Sequence, residues 1–486
     1  MKKLPIISIL FVYFIFSIAT LFLWEKRGIN TVTGDEPHYL VMASGIVKHA
    51  SLEQTEPYKE EFKTKEIYKP GLAPQDAEPS PTNTHAVAGP NGLFNVHNIG
   101  LPLLLSMPFM LGGVLGAKLF MIFCGSLIIV LSWKFASIFS EDKRHNFWAV
   151  IAAGVSLPLI PASNQIYPDI LAGLISLVGL YWFITAQEKR LKIHETLLAS
   201  AIVFLPWLQI KFAATCVLIV LAVVVKIYLD SKDIQRVLRI LLVVSISCIA
   251  LALYNYYAFG KISGPYQSGA LELSKTSLMV LLGLHFDQNQ GFLIQNPVNL
   301  IGILAIGWVY RFNRTFAFIW GGVFLSLIVP NALHPNWYGG GSFSGRFGWA
   351  AAVVFIIPTV YGLLKIGKNR EKIFRLVIAG SVLLQLYFFY QYAISGTNLY
   401  NRGAVTWFDA YSIFYFPIHP WLPMLYSSEW AFGYTPNYAW LVLTCSLLLM
   451  GFICKEKFYS KAPILAISFF ALIFVSGLFK YLKWSN

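Results

Sequence analysis

Only 12% of the 486 residues are charged, so the side chains able to do chemistry are few and their positions carry weight. The densest group lies in "TVTGDEPHYLVMASGIVKHASL", residues 31–52, where Asp35 and Glu36 follow directly on the first apolar run. A carboxylate at such a boundary opens a helix, whose N-terminus favours the anion, and lies against a medium that excludes water from one side. Two readings follow. The pair caps the helix and gives it an acidic first turn, or a carboxylate works as a general base, taking a proton from a hydroxyl or amine as it attacks an electrophile presented by a lipid.

An anionic leaving group would need positive charge or preorganised donors nearby, and two basic residues offer it. Arg346 in "HPNWYGGGSFSGRFGWA" follows glycines and serines that permit close backbone approach and supply N–H and hydroxyl donors, and Arg suits bidentate contact with phosphate. The bland alternative is a flexible connector. Lys211 in "LPWLQIKFAA" stands between two short apolar helices, as a phosphate contact or simply snorkelling to the interface. "NQIYPDIL" places Tyr167 and Asp169 in a tight turn, where Asp169 after Pro168 also makes an acidic helix start. "LHFDQNQGFLIQNP" holds His285 and Asp287, able to line a cleft or bind a metal, although a His and an Asp two apart are a poor metal signature. No cofactor is required by these residues; a divalent cation is possible and the metal ligands stay unknown. All five cysteines lie in or beside apolar runs, so neither a disulfide framework nor a CxxC site is available.

The elements that position these residues are membrane helices. Apolar residues make up 57% of the chain and the mean hydropathy is +0.62, whereas a soluble domain carries about 25% charged residues. Apolar runs of about 20 residues, the length that crosses a hydrocarbon core, recur at 4–24, 117–139, 146–163, 169–186, 194–209, 212–229, 237–258, 297–311, 315–332, 347–366, 373–394, 437–453 and 462–481. The expectation is an all-α polytopic membrane protein of about 13 spans forming one domain over 1–486. The first run is too long for a signal h-region and no small-residue cleavage site follows it, so it reads as a retained helix.

Every second connector is rich in Lys and Arg, beginning from Lys2 and Lys3. The positive-inside rule then puts the N-terminus and the basic loops in the cytoplasm and the other loops outside. It also explains the net charge of +14 without nucleic acid as a partner. The first outer loop, 25–116, is long and predicts two further helical pieces. One begins at Pro37, with Leu40, Val41, Ala43, Ile46 and Val47 on one face against the membrane surface. The other, "NVHNIGLPLLLSMPFMLGG" (95–113), is broken by prolines and Gly112-Gly113 and reads as interfacial or re-entrant. A late outer loop, 395–436, carries Trp407, Tyr411, Trp421, Trp430 and Tyr434, suited to docking a glycan or lipid or to interfacial anchoring.

A first membrane helix, "GDEPHYLVMASGIVKHASL" at the head of a long outer loop and "NVHNIGLPLLLSMPFMLGG" at its end resemble the GT-C superfamily of polyprenyl-phosphate-sugar-dependent glycosyltransferases, in particular the branch of protein O-mannosyltransferases and lipid A aminoarabinose transferases. The resemblance implies a GT-C-like bundle with interfacial helices in its first loop. It implies Asp35 as the catalytic residue and Glu36 as its neighbour in the same motif, with His38 and Tyr39 beside them in the cleft. The place of a His-Pro pair in such enzymes reads "VHNIGLP" here, a loose correspondence for His97. A Trp-Gly-Gly…Gly-Arg sequence corresponds to "WYGGGSFSGRF", with an extra residue after Trp337, and implies Arg346 on the donor phosphate, with Lys211 as the second candidate. Tyr167, Asp169, His285 and Asp287 complete the expected cleft.

The function expected is inverting transfer of a sugar from a polyprenyl-phosphate donor to a glycolipid, polysaccharide or protein on the outer face of a bacterial inner membrane. A transporter or flippase of lipid-linked sugars is the rival from another class. It would place ionisable residues at mid-bilayer depth and show inverted repeats, whereas the charges here gather at helix ends and no repeat is visible. An O-antigen polymerase or ligase ranks lower, since such proteins rely on Arg and His in a late loop.

Overall fold

The computed structural model describes residues 4–28, 32–185, 192–265, 273–333, 339, 341–395, 415, 418–425 and 431–454. Among these, nine helices are long and apolar enough to cross a membrane, so the chain is a multi-pass helical membrane protein. The count of about 13 spans is not met among the described residues. The run 146–163 splits into Lys143–Gly154 and the single turn Leu159–Ala162, separated by a stretch that includes Pro158, which has no N–H to give a helix. The run 194–209 likewise breaks at Val203 and Phe204 into Lys192–Ile202 and Leu205–Leu208, with Pro206 in the first turn of the second piece. Asn299–Phe312 has 14 residues, about 21 Å of helix against a core of about 30 Å. The run 462–481 lies outside the described residues.

The chain forms two compact units. One comprises 1–29, 126–162 and 272–486, the other 30–125 and 163–271. In the first, the Trp349–Asn369 helix is buried on nearly all sides. Small residues let neighbours approach it, as is usual where membrane helices meet. A Cβ added at Gly302 would lie 2.5 Å from Thr359 Oγ1, and one at Gly362 would lie 2.7 Å from Ile301 Cγ2. Thr359 Oγ1 also donates to Asn299 Oδ1 at 3.0 Å inside this contact.

The second unit holds the first loop. Helix α1 (Leu4–Arg27) precedes it in the chain, and α2 (Glu36–His49), α3 (Thr55–Thr64) and a two-stranded antiparallel hairpin of β1 (Ala86–Gly89) and β2 (Gly92–Asn95) build it. The hairpin lies outside the all-helical expectation; its turn, Pro90-Asn91-Gly92, uses Gly92 at φ 122°, a conformation glycine alone adopts readily. Residues 36–45 of α2 are buried all round instead of on a single face. Every residue there after Tyr39 is apolar or small, which suits a helix with no solvent side. The end of the loop enters α4 (Gly100–Phe139), interrupted at Gly112 and at Gly113, whose φ is 56° and ψ is −140°. The break falls on the glycine pair where the sequence expects it.

Candidate functional site

The site begins at the start of α2. Asp35 holds the N-cap position, yet its side chain makes no capping hydrogen bond. Asp142, by contrast, caps the Lys143–Gly154 helix by accepting from the backbone of Arg144 and His145. The Asp35 carboxylate instead faces two imidazoles: Oδ1 lies 3.8 Å from His85 Nδ1 and 3.9 Å from His97 Nε2. Those two nitrogens are 3.2 Å apart. The three ligand atoms fall within 4.8 Å of one another, the one such group of three His, Cys, Asp or Glu among the described residues.

The hairpin sets this geometry. Ala86 pairs with Asn95, and Val96 N donates to His85 O at 2.8 Å, so His85 and His97 flank the open end of the two strands. A buried layer beneath them holds the backbone at both histidines. Asn95 Oδ1 accepts from the His97 amide at 3.0 Å, while Asn95 Nδ2 donates to Tyr58 Oη at 2.9 Å. Tyr58 Oη also hydrogen-bonds the His85 backbone, which leaves its own proton for His38 Nδ1, 2.7 Å away. The His38 ring stacks on His85 at 3.6 Å between centroids, and Tyr39 lies 4.8 Å from His97. Burial first, then the neighbouring His85 and His97, lower the His38 pKa to about 3, so His38 is a neutral spacer.

Glu36 points the other way. Its carboxylate is fully buried and accepts from Thr33 N at 2.8 Å and from Ile166 N at 2.7 Å. Tyr167 Oη donates to Thr33 O at 3.0 Å. Together these contacts tie the head of α2 to the 163–168 turn. Burial raises the Glu36 pKa, against the charge of Lys118 and the two amides. Asp169 opens the Pro168–Thr185 helix, fully buried, and meets Lys211 Nζ at 2.9 Å. Lys211 therefore serves an ion pair, with Phe212 beneath its ammonium.

In the other unit, Arg346 begins a short turn after Gly345, which has φ 82°. The guanidinium is buried, with Nη1 donating to Gly339 O at 3.2 Å. Gly345 N donates to Gln290 Oε1 at 2.6 Å, and Gln295 Nε2 to Ser344 O at 3.1 Å. Asp287 accepts from Asn289 N, Gln290 N and Leu425 N. The 287–295 segment is thus the frame of the glycine-rich loop. His285 sits against Phe286, Phe292 and Phe324 with Nδ1 2.7 Å from Leu281 O. Trp337 lies outside the described residues.

His85 is the member of the site that sequence reasoning passed over. In "PTNTHAVAGPNGLFN" it is a lone histidine in a polar stretch, 12 residues from His97. The signal was the Pro-Asn-Gly turn between two short apolar runs, a hairpin mark that brings the flanking residues together.

Fold and site together define a polytopic helical membrane protein carrying a carboxylate–imidazole cluster at the head of its first loop. The chain is similar in structure to ArnT from Cupriavidus metallidurans bound to undecaprenyl phosphate, at 13% identity and TM-score 0.49 over 93% of this chain and 75% of that one. It is also similar to the apo state of the same protein, at 13% identity and TM-score 0.45 over 90% and 74%. No protein-family model and no curated protein sequence matches it. The likeness is one of chain course.

Proposed function

We propose that this protein is an inverting glycosyltransferase that moves a sugar from a polyprenyl-phosphate donor to an acceptor on the outer face of a bacterial inner membrane. The observation that carries the reading is the Asp35 carboxylate: it sits at a helix N-terminus, is not spent on capping, and is partly exposed beside two imidazoles. The alternation of basic connectors supports an outward-facing first loop.

In the reaction, Asp35 takes the proton of an acceptor hydroxyl as the acceptor oxygen forms its bond to the anomeric carbon. The bond from that carbon to the phosphate oxygen breaks with its electron pair, and the lipid phosphate leaves as an anion that needs no proton. Arg346 is the residue proposed for the phosphate, on the chemistry of its own glycine- and serine-rich loop. Lys211 is the second residue proposed there, held by its ion pair with Asp169.

The test is transfer from a polyprenyl-phosphate sugar in membranes containing equal amounts of folded protein. Asp35→Asn is expected to lower the rate by about 100-fold or more, the scale of a lost general base. A rate equal to wild type in that variant would remove Asp35 from the mechanism.

A further inference from the structure

We propose that Asp35, His85 and His97 form a binding site for a divalent transition-metal ion of the zinc class. The three atoms are spaced as a ligand set. The carboxylate oxygen is 3.8 and 3.9 Å from the two ring nitrogens, beyond hydrogen-bond range, yet it faces both. With the third side of 3.2 Å, the point equidistant from the three atoms lies about 2.1 Å from each, and Zn–N and Zn–O bonds measure about 2.0–2.2 Å.

The surroundings are those of a built metal site. Metal-binding histidines are held by an outer layer of partners that fixes ring orientation. Here the layer is Asn95 and Tyr58, both buried, which reach the His97 and His85 backbones and, through His38, the face of the His85 ring. Two imidazoles and one carboxylate suit zinc, cobalt, nickel or copper better than magnesium or calcium. The side chains of His85, Asp35 and His97 are 45%, 24% and 14% exposed, so three protein ligands leave a position open for water or a substrate oxygen, as catalytic zinc sites do. Where the transfer reaction proposed above holds, an acceptor hydroxyl bound at that position would lose its proton more easily. The binding site itself rests on the geometry alone.

The experiment uses the full chain, purified in detergent, stripped with a chelator and dialysed. Zn²⁺ is titrated calorimetrically and Co²⁺ by its visible ligand-field absorption. Wild type is expected to bind one ion, with a cobalt spectrum of low coordination number. His85→Ala and His97→Ala should each weaken binding by at least about 10-fold, and Asn95→Ala, which frees the His97 backbone, should weaken it by less. His49→Ala, altering a histidine paired with Glu60 on an exposed surface, should bind as wild type does. Thermal unfolding of each variant, with His85→Gln as a second change at the most exposed ligand, separates lost ligation from lost folding. Absence of saturable Zn²⁺ binding in wild type would overturn the site, as would folded His85→Ala and His97→Ala proteins that bind like wild type. Metal bound without sugar transfer would keep the site and remove the proposed reaction; transfer unaffected by stripping, with no metal bound, would do the reverse.

Discussion

Asp35 and Glu36 are chemically alike and adjacent, and the fold turns them to opposite sides. Successive residues of a helix point roughly 100° apart, so when one carboxylate turns inward its neighbour is carried toward the hairpin. Glu36 takes the inward place because Thr33 and Ile166 aim backbone amides at it. The proposal that Glu36 positions the head of the helix is tested by Glu36→Gln: the amide keeps one acceptor but turns a donor toward an N–H, at a cost of about 1–3 kcal/mol. The apparent Tm should fall while transfer per folded molecule and Zn²⁺ affinity hold. An unchanged Tm with lost transfer would make Glu36 catalytic instead. The pair itself was legible in the sequence, because carboxylates are scarce in an apolar chain. The resemblance singled out Asp35 of the two; that Glu36 turns inward was not legible, because its partner Ile166 is 130 residues away. His85 was harder to read for a related reason: its meaning depends on a strand pairing that only the Pro-Asn-Gly turn signals.

Among the elements, the apolar runs announced themselves and the hairpin did not. Among the described residues, nine of the expected spans stand as long helices because a bilayer-length apolar segment satisfies its backbone only as a helix. Strands of four residues offer too few alternations to register, and their stability comes from what they dock on. Gly89 shows how: a Cβ there would lie 1.8 Å from Ala258 O, at the end of the Ile234–Phe259 helix. Asn91 Nδ2 donates to Tyr257 O at 2.7 Å in the same contact, and Phe94 packs edge-on against Tyr257 and Phe259. Gly89→Ala must push the hairpin off this helix. The expected cost is about 1–3 kcal/mol, together with weaker Zn²⁺ binding, because the strands that move carry His85 and His97 at their other end. Calorimetry on the folded variant checks this, and unchanged affinity would show that the open end of the hairpin is held independently of its docking.

At the scale of the whole molecule, water gives membrane helices little reason to associate with one another, so stability rests on close packing and on how the few buried polar groups are satisfied. That makes the pH response of the fold depend on single residues. Asp287 is the clearest: fully buried, it has its carboxyl pushed up to about 6 by burial, although the amides of Leu425, Gln290 and Asn289 favour the anion. An unfolded chain would release this proton near 3.8. Between these values the folded state keeps a proton that the unfolded state has lost, so the group's contribution is fully present below 3.8 and is lost as pH rises through about 6. Above that the buried charge costs about 3 kcal/mol. Asp287→Asn removes the titration and leaves a constant offset, because its amide nitrogen faces a backbone N–H. Apparent Tm measured from pH 4 to pH 8 should therefore fall more steeply with rising pH in wild type than in Asp287→Asn, with the two curves separating chiefly between about 4 and 6. Parallel curves over that range would mean that the three amides outweigh burial and hold Asp287 ionised throughout.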